Sequence, residues 1–160
     1  SGCLLLAKKR SSLVLWQDRF RNRTMKKRYW ALVKGAWDLD IYRCDLPLIK
    51  NQSEGGERVV KVSSAGKSAI TVFRPLNVME DVSLVEATLK TGRTHQIRVH
   101  LQALGFPIVG DVRYGDRDFD RQMRQRGVTR LCLESVELSY RDHETLFGVC
   151  LMPDLFTDFR

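Results

Sequence analysis

From Arg28 onward the chain is cut into short runs rich in Val, Leu, Ile, Thr and aromatic residues, each closed by a turn signal. Runs this short, with weak or clean alternation, fit strands rather than helices. Arg28–Val33 is one, ended by Gly35, and Leu46–Lys50 follows, with a turn-rich loop over Gln52–Glu57. Arg58–Ser63 and Ser68–Arg74 flank the turn Ala65-Gly66-Lys67 and are expected to form a hairpin. Val82–Lys90 alternates and stops at Thr91-Gly92; Leu131–Tyr140 and Thr145–Met152 complete the strands. The apolar run Cys3–Lys8 reads as a buried strand. Three stretches have helical spacing: Ser11 or Ser12 to about Asn22, Thr94–Leu104 with Gly105 beyond its end, and Arg117–Arg126 before Gly127. Strands outnumber helices and most are joined by short turns. The expectation is one α+β domain with a mixed, largely antiparallel sheet and a few flanking helices.

Charge narrows the function. The chain nets +8, but residues 1–34 alone hold ten Lys and Arg against the single acid Asp18, for +9. Apolar residues from Leu13 to Trp30 run through this block, so it is expected to fold. A concentrated basic surface calls for an anionic partner, most simply nucleic acid, with a solvated face or a membrane surface as the alternatives. No apolar run is long enough to span a membrane as a helix. The four cysteines, at 3, 44, 132 and 150, form no CxxC pair and read as reduced core residues of an intracellular protein. His95, His100 and His143 lack metal-ligand spacing, so no metal is expected. Asp111, Asp116, Asp118 and Asp120 interleave with Arg113, Arg117 and Arg121 and read as surface ion pairs.

Lys90–Gly115 (KTGRTHQIRVHLQALGFPIVGDVRYG) is the densest stretch. On a helix, Ile97, Leu101 and Leu104 form a buried stripe, while His95, Arg98 and Gln102 share another face. Gly92, Arg93 and Thr94 fall at the turn into that helix, where free N–H groups attract anions. A polar surface face and an anion site both remain open on spacing alone.

Gly92-Arg93-Thr94-His95-Gln96-Ile97-Arg98, then Gly105-Phe106-Pro107-Ile108-Val109-Gly110-Asp111 and Tyr114-Gly115, resemble the signature of the RluA class of RNA pseudouridine synthases. Ser1–Arg10 resembles the segment after that family's catalytic loop, and Lys27–Gly35 its second motif. Gly56–Val60 with Tyr114–Gln122 resembles the subgroup acting on the ribosomal large subunit. The resemblance covers essentially the whole chain. It implies the pseudouridine synthase fold and an enzyme that isomerises uridine within RNA, without metal or cofactor. The essential residue is an Asp in a motif of the form His-Arg-Leu-Asp-x-x-Thr-Ser-Gly. A carboxylate there can act as nucleophile or stabilise positive charge on the sugar, once the base is flipped out of its stack.

Ser1 and Gly2 match the last two residues of that motif, so the Asp is expected upstream of residue 1. Residues 1–160 then form a single catalytic domain lacking its N-terminal part, and any N-terminal RNA-binding domain lies upstream too. The chain alone is expected to be inactive, and an RNA-binding module without catalysis is the rival reading. By resemblance, Arg98 corresponds to the Arg that pairs with the catalytic carboxylate, and Tyr29 to the active-site Tyr placed against the flipped uracil. Arg93, Thr94, His95 and Gln96 are expected to shape the site's wall or bind phosphate, and Lys8, Lys9 and Arg10 to hold RNA backbone. The partner is expected to be large-subunit ribosomal RNA, for a bacterial, cytoplasmic monomer. Glu134 stands where relatives usually carry His, at the end of a strand-like run that is expected to tolerate it.

Overall fold

The computed structural model describes residues 1–52, 58–142 and 145–150. In chain order the elements are α1 (Arg10–Arg21), β1 (Met25–Lys34), β2 (Tyr42–Asp45), β3 (Leu48–Gln52), β4 (Arg58–Val62), β5 (Ile70–Val78), β6 (Val82–Leu89), α2 (Gln96–Ala103), α3 (Arg117–Gln125), β7 (Leu133–Asp142) and β8 (Thr145–Cys150). Six strands form one sheet in the order β2-β5-β6-β1-β7-β8, with every neighbouring pair antiparallel. β3 and β4 form a separate two-stranded ribbon. The α+β class and the antiparallel sheet follow the sequence expectation.

β1 is the sheet's spine, because β6 and β7 pair along its two edges. Its central residues Ala31, Leu32 and Val33 are all buried, so both faces are covered there. Ile97 and Leu101 of α2 join them in the main core with Phe73, Val85, Ile108 and Met123. Leu104 packs against that core partly buried, which completes the expected stripe. Gly105 lies just past the C-cap Leu104 with φ +86°, a conformation that suits a residue without a Cβ.

Two pairings differ from expectation. Arg58–Ser63 and Ser68–Arg74 do not form a hairpin. β4 pairs with β3, and β5 instead lies between β2 and β6. The turn bends as expected, with Gly66 N–H donating to Ser63 O, but the chain then bridges Leu48 through Lys67. Alternation marks a strand's two faces and says nothing of which partner it finds. Cys3–Lys8 is not a buried strand either: Leu4 is 81% and Leu6 78% exposed. Only its start is held, by the parallel bridge Gly2–Ser135, where a Cβ on Gly2 (φ +97°) would stand 2.1 Å from Ser135 O.

The N-terminal basic block folds, as expected of it, into α1 and β1. α1 starts at Arg10 with Lys9 as its N-cap, rather than at Ser11 or Ser12, and buries none of its residues fully. Trp16 meets the edge of Tyr140 at 6.1 Å, and Arg19 lies over both rings. The loop Gln52–Glu57 falls, beyond Gln52, outside the described residues, as do His143 and the end of the last predicted strand.

Candidate active site

The turn Thr91–His95 between β6 and α2 is built around one amide. Gln96, 2% exposed, accepts from Thr91 Oγ1 (2.8 Å) and Arg93 N–H (2.9 Å). Its Nε2 donates to Ile70 O (3.0 Å) and Thr71 Oγ1 (2.9 Å). Thr91 Oγ1 in turn accepts from Ile70 N–H (2.9 Å). Gln96 was expected at the wall of the site; its amide is instead consumed in fixing the turn to β5. The helix begins at Gln96 itself, two residues later than the expected Thr94, after His95 in the left-handed region (φ 51°).

His95 Nδ1 lies 3.0 Å from Tyr114 Oη, which also accepts from Val60 N–H (3.1 Å). Burial, together with Arg98 and Arg113, lowers the His95 pKa and so favours the neutral ring, whose Nδ1 can accept the phenol proton. This chain of contacts ties α2 to the β3–β4 ribbon. Arg98 grips Asp111 with both oxygens engaged: Nε to Oδ2 at 2.7 Å and Nη2 to Oδ1 at 2.6 Å. The Asp111 side chain is fully buried, and its Oδ1 also accepts from Arg113 N–H and Tyr114 N–H at 3.0 Å each. Burial alone would raise the Asp111 pKa; the Arg98 fork and the two backbone donors outweigh it and leave it lowered. The Arg98 pKa is raised, chiefly by its hydrogen bonds to Asp111.

The expected surface-pair reading of the aspartates holds for Asp118 with Arg121 but not for Asp111 or Asp120. Asp120 is 7% exposed and accepts from Gly110 N–H (2.7 Å), while Asp116 caps α3 and meets Lys34 at 2.5 Å. Short Asp-rich motifs look solvent-exposed in sequence; here the Gly110 turn folds Asp111 and Asp120 inward.

The anticipated residues fall into three concavities rather than one. His95 and Arg98 line a basic cleft of about 560 Å³ with Arg113 and Arg117. Arg93 and Thr94 line a groove of about 500 Å³ with Lys50 and Lys67, and Arg93 Nε is held by Ser68 O (3.1 Å). Tyr29 lines a cavity of about 310 Å³ with Lys27 and the apolar Leu5, Leu13, Trp16 and Phe20. Lys8, Lys9 and Arg10 are exposed beside it, where the chain enters α1. Gln102, expected beside His95 and Arg98, is exposed on the surface of α2. The bidentate partner of Arg98 and the burial of Lys27 went unread. For Asp111 the Gly-Asp-x-x-Tyr-Gly spacing was the available signal. For Lys27 it was its place two residues before Tyr29, on the same strand.

The family model for RNA pseudouridylate synthase matches residues 1–103. Ribosomal large subunit pseudouridine synthase C of Pasteurella multocida is 46% identical over 145 residues, and the protein of that name from Escherichia coli K12 is 45% identical over 142. These alignments take in 91% and 88% of this chain and 44% of each relative, so the chain spans less than half the length of the curated relatives it matches. The solved structure of human RNA Pseudouridylate Synthase Domain Containing 1 superimposes with a TM-score of 0.76 at 27% identity, covering 96% of this chain and 64% of that one. Motifs, sheet order and the sequence match over most of its length agree: the chain belongs to the RNA pseudouridylate synthase family.

Proposed function

We propose that this chain is the larger part of the catalytic domain of an enzyme that isomerises uridine to pseudouridine in large-subunit ribosomal RNA. The observation that carries the reading is 46% identity, over 91% of the chain, to a protein named for that activity. The basic cleft, the basic groove and the exposed Lys8–Arg10 supply surfaces on which a polyanion can lie. Tyr29 stands against the flipped uracil, with its ring offering stacking area and its hydroxyl a polar tip. Arg98, held rigid by Asp111, orients the reacting aspartate of the complete enzyme. In that role Nη1 is the contacting edge, because Nε and Nη2 are occupied by Asp111. The enzyme works as a cytoplasmic monomer and needs no metal or cofactor.

The test is incubation of the protein carrying the catalytic aspartate with unmodified large-subunit RNA, followed by carbodiimide mapping of pseudouridine. Site-specific stops are expected, and the 160-residue chain alone is expected to give none. Robust turnover by that chain alone would place the nucleophile within it.

A further inference from the structure

Lys27 is 8% exposed, and its ammonium has no hydrogen-bond or ion-pair partner among the described residues. That is costly. A buried charge is normally paired, or it is disfavoured by several kcal/mol. Its neighbours on β1 show the contrast: Arg28 is bound to both Glu86 and Glu137, and Lys26 reaches Glu137 at 3.3 Å. Lys27 points the other way. It lines the cavity that holds Tyr29, and its Nζ lies 3.6 Å from where a Cβ on Gly92 would stand. Among the described residues, the walls of that cavity carry no Asp or Glu. Its lowered pKa, caused by burial and then by Arg23, reports the same lack of a counter-charge.

Resting on the function proposed above, we infer that Lys27 is a catalytic residue whose ammonium stabilises the uracil ring while it is an anion. In the isomerisation the C1′–N1 bond breaks and its electron pair leaves with the base. Uracil then carries negative charge over N1, O2 and O4, while the aspartate takes the sugar's C1′. The ring turns, C5 bonds to C1′ as the aspartate leaves, the proton on C5 is lost and one is gained at N1. No net oxidation occurs. A cation fixed in an apolar-walled cavity meets this charge without reorganising, which is where electrostatic stabilisation is most effective. Besides Lys27 the lining offers an anion the side chains of Gln17, Tyr29 and Ser135 among mostly apolar walls, a setting that suits a flat, delocalised base anion better than a fully hydrated phosphate. With the base held beside Tyr29, the ammonium meets full negative charge only as the C1′–N1 bond breaks, so the interaction favours the transition state over bound substrate.

The experiment uses the protein carrying the catalytic aspartate, with Lys27→Met and Lys27→Arg, in single turnover at saturating RNA. Substrates contain either uridine or 5-fluorouridine at the target, and cleavage of the original glycosidic bond is followed. Fluorine stabilises the departing anion, so it makes the ammonium less necessary. Lys27→Met should slow the uridine reaction roughly 100-fold, the size of losing one oxyanion donor. It should slow the fluorinated one clearly less, Lys27→Arg should recover part of the rate, and thermal stability should not fall. Equal losses with both bases, or an unchanged rate, would overturn the assignment. So would a loss confined to RNA affinity with a flatter salt dependence, the mark of a phosphate contact. An Arg variant as slow as Met would mean that a neutral amine acts as a base, and would overturn it too. Wild-type protein that forms no pseudouridine would remove the function itself, and this role with it.

Discussion

Asp111→Asn should destabilise this chain by about 3 kcal/mol, the lower end of the cost of breaking a buried ion pair. The figure follows from the bonds. Oδ1 of Asp111 accepts from Arg98 Nη2, Arg113 N–H and Tyr114 N–H, and an Asn oxygen can keep all three. Oδ2 accepts only from Arg98 Nε, and there the new NH2 would face a donor. The charge that balanced the guanidinium is lost at the same time. Arg98 is 19% exposed and can recover some hydration, which keeps the penalty from the upper end. Asp111→Ala should cost more, because the two backbone donors also lose their acceptor. Urea unfolding at pH 7 measures both. The sign with pH is definite. The Asp111 carboxyl has a lowered pKa in the folded chain, so its stabilisation is full above the unfolded value near 3.9 and is lost as pH falls through the folded value. The gap between wild type and Asp111→Asn should therefore be constant from about pH 7 to 5 and close below about pH 4. A penalty under about 1 kcal/mol, or one that does not shrink in acid, would refute the claim that the ion pair carries this loop.

In the protein carrying the catalytic aspartate, Arg98→Lys should lower the single-turnover rate on the order of 10- to 100-fold with RNA affinity nearly unchanged, since lysine lacks the fork. Loss of affinity with intact chemistry would make Arg98 a phosphate contact instead. Neutralising Lys8, Lys9 and Arg10 together should flatten the log–log salt dependence of RNA binding by about 2, at roughly 0.7 per phosphate contact; filter binding across a salt series checks it. Gly110→Ala should destabilise by roughly 2 kcal/mol or more, because the residue has φ +76° and a Cβ would stand 2.1 Å from Arg130 O. A thermal melt decides that one.

Elements whose own side chains specify their surroundings were legible. α2 shows its buried stripe at Ile97 and Leu101 and its stop at Gly105, and β6 shows a half-alternating run closed by Thr91-Gly92. Pairings were not, since Val60 and Val62 share a face of β4 whether it lies against β3 or β5. The candidate site was half legible. Arg98, Tyr29 and the Gly92 turn stand in recognisable motifs, but what each side chain touches depends on distant chain. Gln96 looks polar and available, yet Ile70 and Thr71 close over it. Lys27 sits in a run of three cations, where exposure is the ordinary outcome, but β1 is the central strand and alternate residues of it must face inward.

The distribution of acids explains why such a basic chain stays folded and still offers positive surfaces. Glu86 and Glu137 hold Arg28, Asp111 holds Arg98, Asp81 holds Arg126 and Asp116 holds Lys34. These pairs fasten β1 to β6 and β7, α2 to the loop after it, and the start of α3 to the end of β1. Among the described residues, none of the three concavities that receive the anticipated residues has an Asp or Glu in its lining. In the cavity that holds Tyr29, Lys27 keeps its field, and apolar walls strengthen it at short range. The arrangement separates two kinds of positive charge. A paired arginine contributes to stability and depends little on an incoming anion. Lys27, buried without a partner among the described residues, gains more from an incoming anion. Salt should therefore act on the two differently, screening exposed cations such as Lys8 and Lys9 strongly and the buried Arg98–Asp111 pair weakly.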